Sequence, residues 1–345
     1  MYTLSSTKNA LFAYIFCVLG LVNSTHAQTN RYGMKLKEHK GAFQLVDKNR
    51  ICKILKDSCL NLPKDIYEPW KGYAPKLIQP EDYTNFTTKS DIFKEYPTKG
   101  YTLNMEVDMP KIATNKPYPF VIWVHGGGWG GGSAEAFKNQ SQYLASRGIA
   151  GVRITYSLKN QGGSFKMGFD ELKAALQFVK ENREELELDI NKYGWAGGSA
   201  GTPLSALVAM QDTSSGCKLF IGYNGIYDFE NNRHGNFCGG KEITNTYLKN
   251  INDWQSISAI NYISDNPNNI PAVILFHGTG DITISHKQSV ALYHALIKKK
   301  GKAELHLYPY YSHAFFNQNN SDIYEDITIK THKFVENIFK VLAKK

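Results

Sequence analysis

Lys192-Tyr193-Gly194-Trp195-Ala196-Gly197-Gly198-Ser199-Ala200-Gly201-Thr202-Pro203 is the stretch that decides how this chain is read. Residues 192–196 read as a short strand, and residues 200–210 read as a helix. Between them the chain must reverse so sharply that side chains flanking Ser199 would clash, and glycines stand at 197, 198 and 201. Such a turn leaves Ser199 exposed at a helix N-terminus, where unpaired N–H groups favour negative charge. Pro203 falls in the first helical turn, where its missing N–H costs little.

Outward from this turn the pattern is regular. Tyr101-Thr102-Leu103-Asn104-Met105-Glu106-Val107-Asp108 alternates like a half-buried strand, and 120–124 (Phe-Val-Ile-Trp-Val) is a continuous apolar run typical of a fully buried one. Strands are predicted at 149–156, 219–223, 272–276 and 303–308, and helices at 134–147, 169–182, 285–299 and 323–342. Strands alternating with helices predict an α/β fold with a mostly parallel central sheet covered on both faces. Residues 226–268 break the alternation and read as an insertion over the sheet's C-terminal edge, where ligand sites lie in such folds. The main domain is predicted over 86–345, with 28–85 as an N-terminal extension rich in Lys, Pro and Tyr.

Composition narrows the classes. The chain has 345 residues, 42% hydrophobic and 21% charged, which excludes disordered, collagen-like and coiled-coil chains. Net charge is +9 without a run of five like charges, so no basic tail for nucleic acid is expected. Residues 1–27 read as a cleaved export signal. Lys8 is its only charge, residues 10–22 carry none, and Thr25-His26-Ala27 offers small residues for cleavage before Gln28. The apolar run is too short to span a bilayer, so a secreted or periplasmic protein without stable membrane insertion is expected. Cleavage leaves Cys52, Cys59, Cys217 and Cys238, for which the local pairing Cys52–Cys59 with Cys217–Cys238 is the expectation.

Chemistry enters with three further motifs. His125-Gly126-Gly127-Gly128-Trp129 follows the buried strand 120–124 directly. Its glycines let the backbone approach a substrate closely, so the N–H groups of Gly127 and Gly128, with that of Ala200, are predicted to hold an oxyanion. A serine hydroxyl needs a base, and the base an orienting carboxylate. Phe276-His277-Gly278-Thr279-Gly280-Asp281 puts a carboxylate just after one buried strand, and Tyr310-Tyr311-Ser312-His313 puts a histidine after the last. Ser199, Asp281 and His313 occur in the chain order Ser…Asp…His, unlike the orders of chymotrypsin- and subtilisin-type enzymes. Asp228 is the alternative acid and His286 the alternative base, while His125 and His277 read as structural. Trp129 is a candidate wall of the substrate pocket, and Trp70, Tyr73 and Trp254 are candidate stacking surfaces for a sugar or phenolic group.

Together these motifs resemble the α/β-hydrolase family, specifically its esterase branch with an HGGGW oxyanion motif, over about residues 95–343. That branch includes secreted carbohydrate esterases, feruloyl-esterase-like proteins and hormone-sensitive-lipase-like carboxylesterases. Val152-Arg153-Ile154-Thr155-Tyr156 and Gly225-Ile226-Tyr227-Asp228-Phe229 add to the resemblance. It implies Ser199 as nucleophile, His313 as general base and Asp281 as its orienter, with no metal or organic cofactor. Gly198 stands where the lipase-like branch usually has Asp or Glu, which leans toward the carbohydrate-esterase side. Acetyl or feruloyl esters on polysaccharide are the expected substrates, and small general esters the alternative. A serine peptidase or a non-catalytic binding member of the fold is the more distant reading.

Overall fold

The computed structural model describes residues 36–39, 42–45, 84–112, 114–212, 216–230, 247–249, 251–281, 283–309, 311–317 and 322–341. Residues 1–27, Cys52, Cys59, Trp70, Tyr73 and Cys238 lie outside them. Within the N-terminal extension, β1 (Leu36–His39) pairs antiparallel with β2 (Ala42–Leu45). The main sheet is built from β3 (Phe86–Tyr96), β4 (Tyr101–Pro110), β5 (Tyr118–Val124), β6 (Ala150–Ile154), β7 (Leu188–Gly198), β8 (Cys217–Tyr223), β9 (Ala272–Gly278) and β10 (Ala303–Tyr308). Its spatial order is β10-β9-β8-β7-β5-β6-β4-β3, with β5 to β10 parallel and β4 and β3 antiparallel at one edge. This is the α/β architecture expected. The helices are α1 (Lys138–Ala145), α2 (Phe165–Glu181), α3 (Gly201–Gln211), α4 (Lys287–Lys298) and α5 (Asp322–Phe339).

Alternation along each strand feeds two apolar layers. Ile122 and Val124 of β5, Trp195 of β7 and Leu275 of β9 join one layer with Leu172 of α2 and Leu204 of α3. Val121, Trp123, Ala196 and Ile274 point the other way, into a layer with Leu144 of α1 and Val335 of α5. Helix α3, which carries the turn after Ser199, is buried at every residue from 201 to 210. The end of β7 that leads into Ser199 is therefore anchored in the core.

Two elements differ from the sequence expectation. β3 was not predicted, because the consecutive polar residues Thr87, Thr88, Lys89 and Ser90 leave both of its faces exposed, as befits a solvent-edge strand. The helix predicted over 134–147 is a 3₁₀ turn (Ala134–Phe137) followed by the shorter α1. A buried ion pair fixes this corner. Arg153 of β6 donates from Nε (2.7 Å) and Nη2 (3.2 Å) to Asp108 of β4, whose Oδ2 also accepts from Ser141 of α1 at 2.5 Å. Removing Arg153 would leave Asp108 buried without its cation, and removing Asp108 would leave the buried Arg153 with only the exposed Glu135 at 3.2 Å. The expected bridge from Cys217 to Cys238 involves a residue outside the described ones, among which Cys217 is a free thiol. The Cys217 sulfur sits against the carbonyl of Leu219 at 3.9 Å, in surroundings that bury it and raise its pKa. Among the described residues no helix is long and apolar enough to cross a membrane.

Candidate active site

β7 ends at Gly198 and α3 begins at Gly201, leaving Ser199 and Ala200 to make the reversal. Ser199 has φ 49°, in the left-handed region that strains a non-glycine residue. The strain is held in place from both sides. The Ser199 N–H donates to the Tyr223 carbonyl at 2.9 Å, and the Thr202 N–H donates to the Ser199 carbonyl at 3.0 Å. A Cβ at 197 would run into Ser205 Oγ, and one at 201 into the carbonyl oxygens of Val124 and His125. The glycines are thus required by close backbone approach, as the sequence pattern implied.

The structure brings Ser199, His313 and Asp281 into one chain of hydrogen bonds. Ser199 Oγ–H donates to His313 Nε2 at 2.7 Å, and His313 Nδ1–H donates to Asp281 Oδ2 at 2.7 Å. Parallel pairing of β9 and β10 makes the meeting possible. Beyond the strand ends, the Thr279 N–H donates to the Tyr308 carbonyl and the Gly280 N–H to the Tyr311 carbonyl, at 2.9 and 3.0 Å. Asp281 is buried, and its Oδ1 accepts the N–H groups of Thr283 (2.8 Å) and Ile284 (2.9 Å). Burial alone would raise its pKa, but the His313 charge and hydrogen bonding from the neighbouring histidines outweigh it. The carboxyl is held ionised, well below the usual range. Such a chain can pass a proton from hydroxyl to imidazole while the carboxylate fixes the ring's tautomer.

The loop of residues 125–129, expected from the sequence to hold an oxyanion, lies directly against this turn. A Cβ on Gly126 would stand 2.9 Å from Gly198 O and 3.0 Å from Ser199 Cβ. Gly127 (φ 117°) and Gly128 (φ 61°) take conformations open to glycine. Among the described residues, no hydrogen bond occupies the N–H groups of Gly127, Gly128 or Ala200. His125 supports the loop from beneath. Its ring stacks on Tyr156 at 4.4 Å, Nδ1–H donates to the Gly126 carbonyl at 2.8 Å, and the Tyr156 hydroxyl donates to the His125 carbonyl at 3.0 Å. Burial pushes the His125 pKa down to about 4, so it is a neutral structural group at neutral pH.

The other candidates fall elsewhere. Trp129 is buried, its indole N–H donates to the Ala200 carbonyl at 2.8 Å, and one ring face is stacked on Tyr247 at 5.4 Å. Tyr247 comes from the stretch read as an insertion, and its hydroxyl donates to the Ser157 carbonyl at 3.1 Å. Asp228 meets Gln288 through its backbone, and its Oδ1 accepts the Glu230 N–H. His286 is buried at the start of α4 without a bond to Ser199, and burial pushes its pKa down to about 3. Trp254 is partly exposed beside Phe229, with ring centroids 6.2 Å apart. Two further residues reach Asp281: Asn224, which the sequence reading missed, and His277, which it took as structural. Asn224 Nδ2 donates to Asp281 Oδ2 at 2.8 Å, and His277 Nε2 lies 3.3 Å from the same oxygen. Asn224 has φ 51° and is followed by Gly225 just past β8, a turn signal that could have drawn attention to it.

Comparison with known proteins bears on this arrangement. The BD-FAE family profile matches residues 105–296, more than half of the chain. An acetyl esterase of Salmonella paratyphi B is 23% identical over 269 residues, covering 72% of this chain and 76% of that protein. Esterase LipQ of Mycobacterium tuberculosis is 26% identical over 205 residues, or 54% of this chain and 48% of that one. Among solved structures, Thermogutta terrifontis esterase 2 phosphonylated by sarin superposes with a TM-score of 0.65 at 21% identity, covering 75% of this chain and 97% of that one. Esterase LipW of Mycobacterium marinum gives 0.63 at 17% identity, with 74% and 82% covered. The shared architecture is the α/β-hydrolase fold.

Proposed function

The chain belongs to the BD-FAE family and is a carboxylic ester hydrolase, and from that premise we propose that Ser199, His313 and Asp281 are its catalytic triad. The observation that carries this reading is the continuous chain of hydrogen bonds, 2.7 Å at each link, from a strained serine to a buried carboxylate. His313 Nε2 takes the Ser199 proton as Oγ attacks the ester carbonyl. The carbonyl oxygen becomes an oxyanion, held by the N–H groups of Gly127, Gly128 and Ala200. Collapse of that intermediate breaks the ester C–O bond, and His313 returns its proton to the leaving alkoxide. Water then attacks the acyl-enzyme with His313 again as base, and the acid leaves with Ser199 restored.

For the substrate, acetyl or feruloyl esters on polysaccharide are the reading. It is supported by the export signal read over residues 1–27, by Gly198 in place of an acidic residue and by similarity to proteins named acetyl esterases. The enzyme would act outside the cytoplasm after cleavage before Gln28. A general short-chain carboxylesterase is the second reading, favoured by the likeness to Thermogutta terrifontis esterase 2, solved with butyrate and with propionate.

The deciding experiment measures initial rates on p-nitrophenyl acetate, octanoate and palmitate, methyl ferulate and acetylated xylan, with wild type and Ser199→Ala. Release of acetate from xylan or hydrolysis of methyl ferulate, absent in the variant, supports polysaccharide de-esterification. Turnover confined to synthetic esters selects the second reading. A folded wild type that neither turns over any ester nor labels with a fluorophosphonate probe would sink the triad.

A further inference from the structure

Asp281 is held by more than the catalytic chain requires. Its Oδ2 receives His313 Nδ1–H and Asn224 Nδ2–H, and a second imidazole, that of His277, stands 3.3 Å from the same oxygen. His277 is the next-to-last residue of β9, fully buried, and four residues before the acid. Its ring is fixed at both ends, with Nε2 3.0 Å from the Ile284 carbonyl and Nδ1 2.7 Å from Ser289 Oγ. A carbonyl oxygen only accepts, so Nε2 must carry a hydrogen. That N–H edge, the positive side of the ring, is the one turned to Asp281. The residue that His277 fastens is itself a ligand of the acid, since the Ile284 N–H donates to Asp281 Oδ1 at 2.9 Å.

We propose that His277 is a positioning residue of the triad. It anchors the 281–284 turn through the Ile284 carbonyl and lays its Nε2–H edge against Asp281 Oδ2, drawing charge from the carboxylate that orients His313. The proposal rests on the reading of Asp281 as the orienting acid. His277 touches neither substrate nor the reacting atoms. Its contribution acts through Asp281, alongside Asn224, the Thr283 and Ile284 N–H groups and the buried His286, which interacts electrostatically with both His277 and Asp281. Without the His277 edge, negative charge concentrates on Oδ2 beside His313. The protonated imidazole is then favoured, and the acid limb of the rate profile moves to higher pH.

The test compares kcat/KM against pH for wild type, His277→Leu and His277→Gln on p-nitrophenyl acetate. Glutamine can present an N–H near the position of Nε2, and leucine cannot. The expected result for His277→Leu is a kcat/KM lower by about tenfold or more, the worth of one hydrogen bond to a charged group, carried mostly in kcat, with the acid limb displaced upward. His277→Gln should recover most of the rate and return the limb toward the wild-type position. A His277→Leu enzyme that is folded, by circular dichroism, with an unmoved limb would overturn the proposal. So would a His277→Gln enzyme no better than His277→Leu. Because the leucine variant can fail to fold, nitrogen NMR of wild type with labelled histidine, assigned through His277→Gln, supplies a second arm. A protonated Nε2 is expected, and a ring carrying its only proton on Nδ1 would overturn the assignment. Absence of any ester turnover by folded wild type refutes the esterase reading instead, and the NMR arm still decides whether the Nε2–H edge exists.

Discussion

The indole N–H of Trp129 donates to the carbonyl of Ala200 at 2.8 Å, joining the last residue of the HGGGW loop to the residue that follows Ser199. The two segments proposed to supply oxyanion donors are thereby tied to one another. Trp129 itself has φ 60°, a strained setting for a bulky residue. The tie and the stack on Tyr247 hold it there. Replacing Trp129 by Phe keeps an aromatic ring for the stack and removes only the donor. The expected outcome is a kcat lower by about tenfold, the scale of one hydrogen bond lost from a buried acceptor, with KM for p-nitrophenyl acetate little changed. Trp129→Ala adds a cavity and should cost about 3–5 kcal/mol in urea unfolding. Equal kcat for Trp129→Phe and wild type would show that the tie has no part in the oxyanion geometry.

Gly198 faces two phenyl rings. A Cβ there would stand 2.8 Å from Phe316 Cζ and 2.9 Å from Phe137 Cζ. Those rings stack on one another at 5.7 Å, and Phe316 lies three residues after His313. Gly198→Ala therefore pushes on the segment that carries the base. A loss of about 1–3 kcal/mol from overpacking is expected, with activity falling further than stability alone explains. Gly198→Asp should be worse, since a carboxylate would be buried among rings without a partner. Pairing Gly198→Ala with Phe316→Leu should restore part of both quantities, and a strictly additive double variant in unfolding and kinetics would argue against the clash.

Substituting Asp281 by Asn tests the chain of hydrogen bonds itself. The amide keeps the shape, but its NH2 can face His313 Nδ1 and favour the wrong tautomer. A drop in kcat of about 10⁴-fold is expected, with the fold retained because Thr283 and Ile284 can still donate to the side-chain oxygen. Asp228→Asn should leave kcat within a small factor of wild type, since Asp228 lies toward Gln288 and Glu230. The opposite ranking in steady-state kinetics would transfer the acid's role to Asp228.

The site was legible to the extent that its chemistry is written in local sequence. Glycines at 197 and 201 announce the turn because backbone approach there excludes a side chain, a constraint local enough to read, whereas Gly198 is kept bare by two phenyl rings from distant segments. Asp281 was legible because it stands in the turn after the buried apolar strand β9, and His313 because it lies in the loop after the last strand, β10. Asn224 was not, because what brings it to Asp281 is the parallel register of β8 and β9, which no local pattern expresses. His277 was read only as structural, because the turn after β9 that lays its ring beside Asp281, four residues on, is not written in the strand's apolar run. The role of Trp129 was also hidden. A tryptophan beside a glycine loop reads as a pocket wall, and its polar edge meets Ala200 only once β5 and β7 are paired. β3 was missed because an edge strand wet on both faces over residues 87–90 lacks the apolar signal that marked β5 and β9.

Stability should fall on mild acidification, driven by buried histidines more than by carboxylates. Burial pushes His125 and His332 down to about 4, and His286 to about 3, against 6.5 for a solvated histidine. Between pH 6.5 and about 4 the unfolded chain binds protons at these positions and the folded chain does not. Unfolding then takes up protons, so stability rises with pH across that window and is lost as pH falls through it. Each histidine contributes a slope of up to about 1.4 kcal/mol per pH unit. Asp281 behaves otherwise. Its depressed pKa adds stability above the unfolded carboxylate value that is lost only as pH falls through its folded value, below the histidine window. Urea midpoints at pH 7.5, 6.0 and 5.0 should therefore decline steadily, and His286→Gln should flatten the slope by about one proton. Identical midpoints at pH 7.5 and 5.0 would mean that these three rings are protonated, or solvated, in the folded chain.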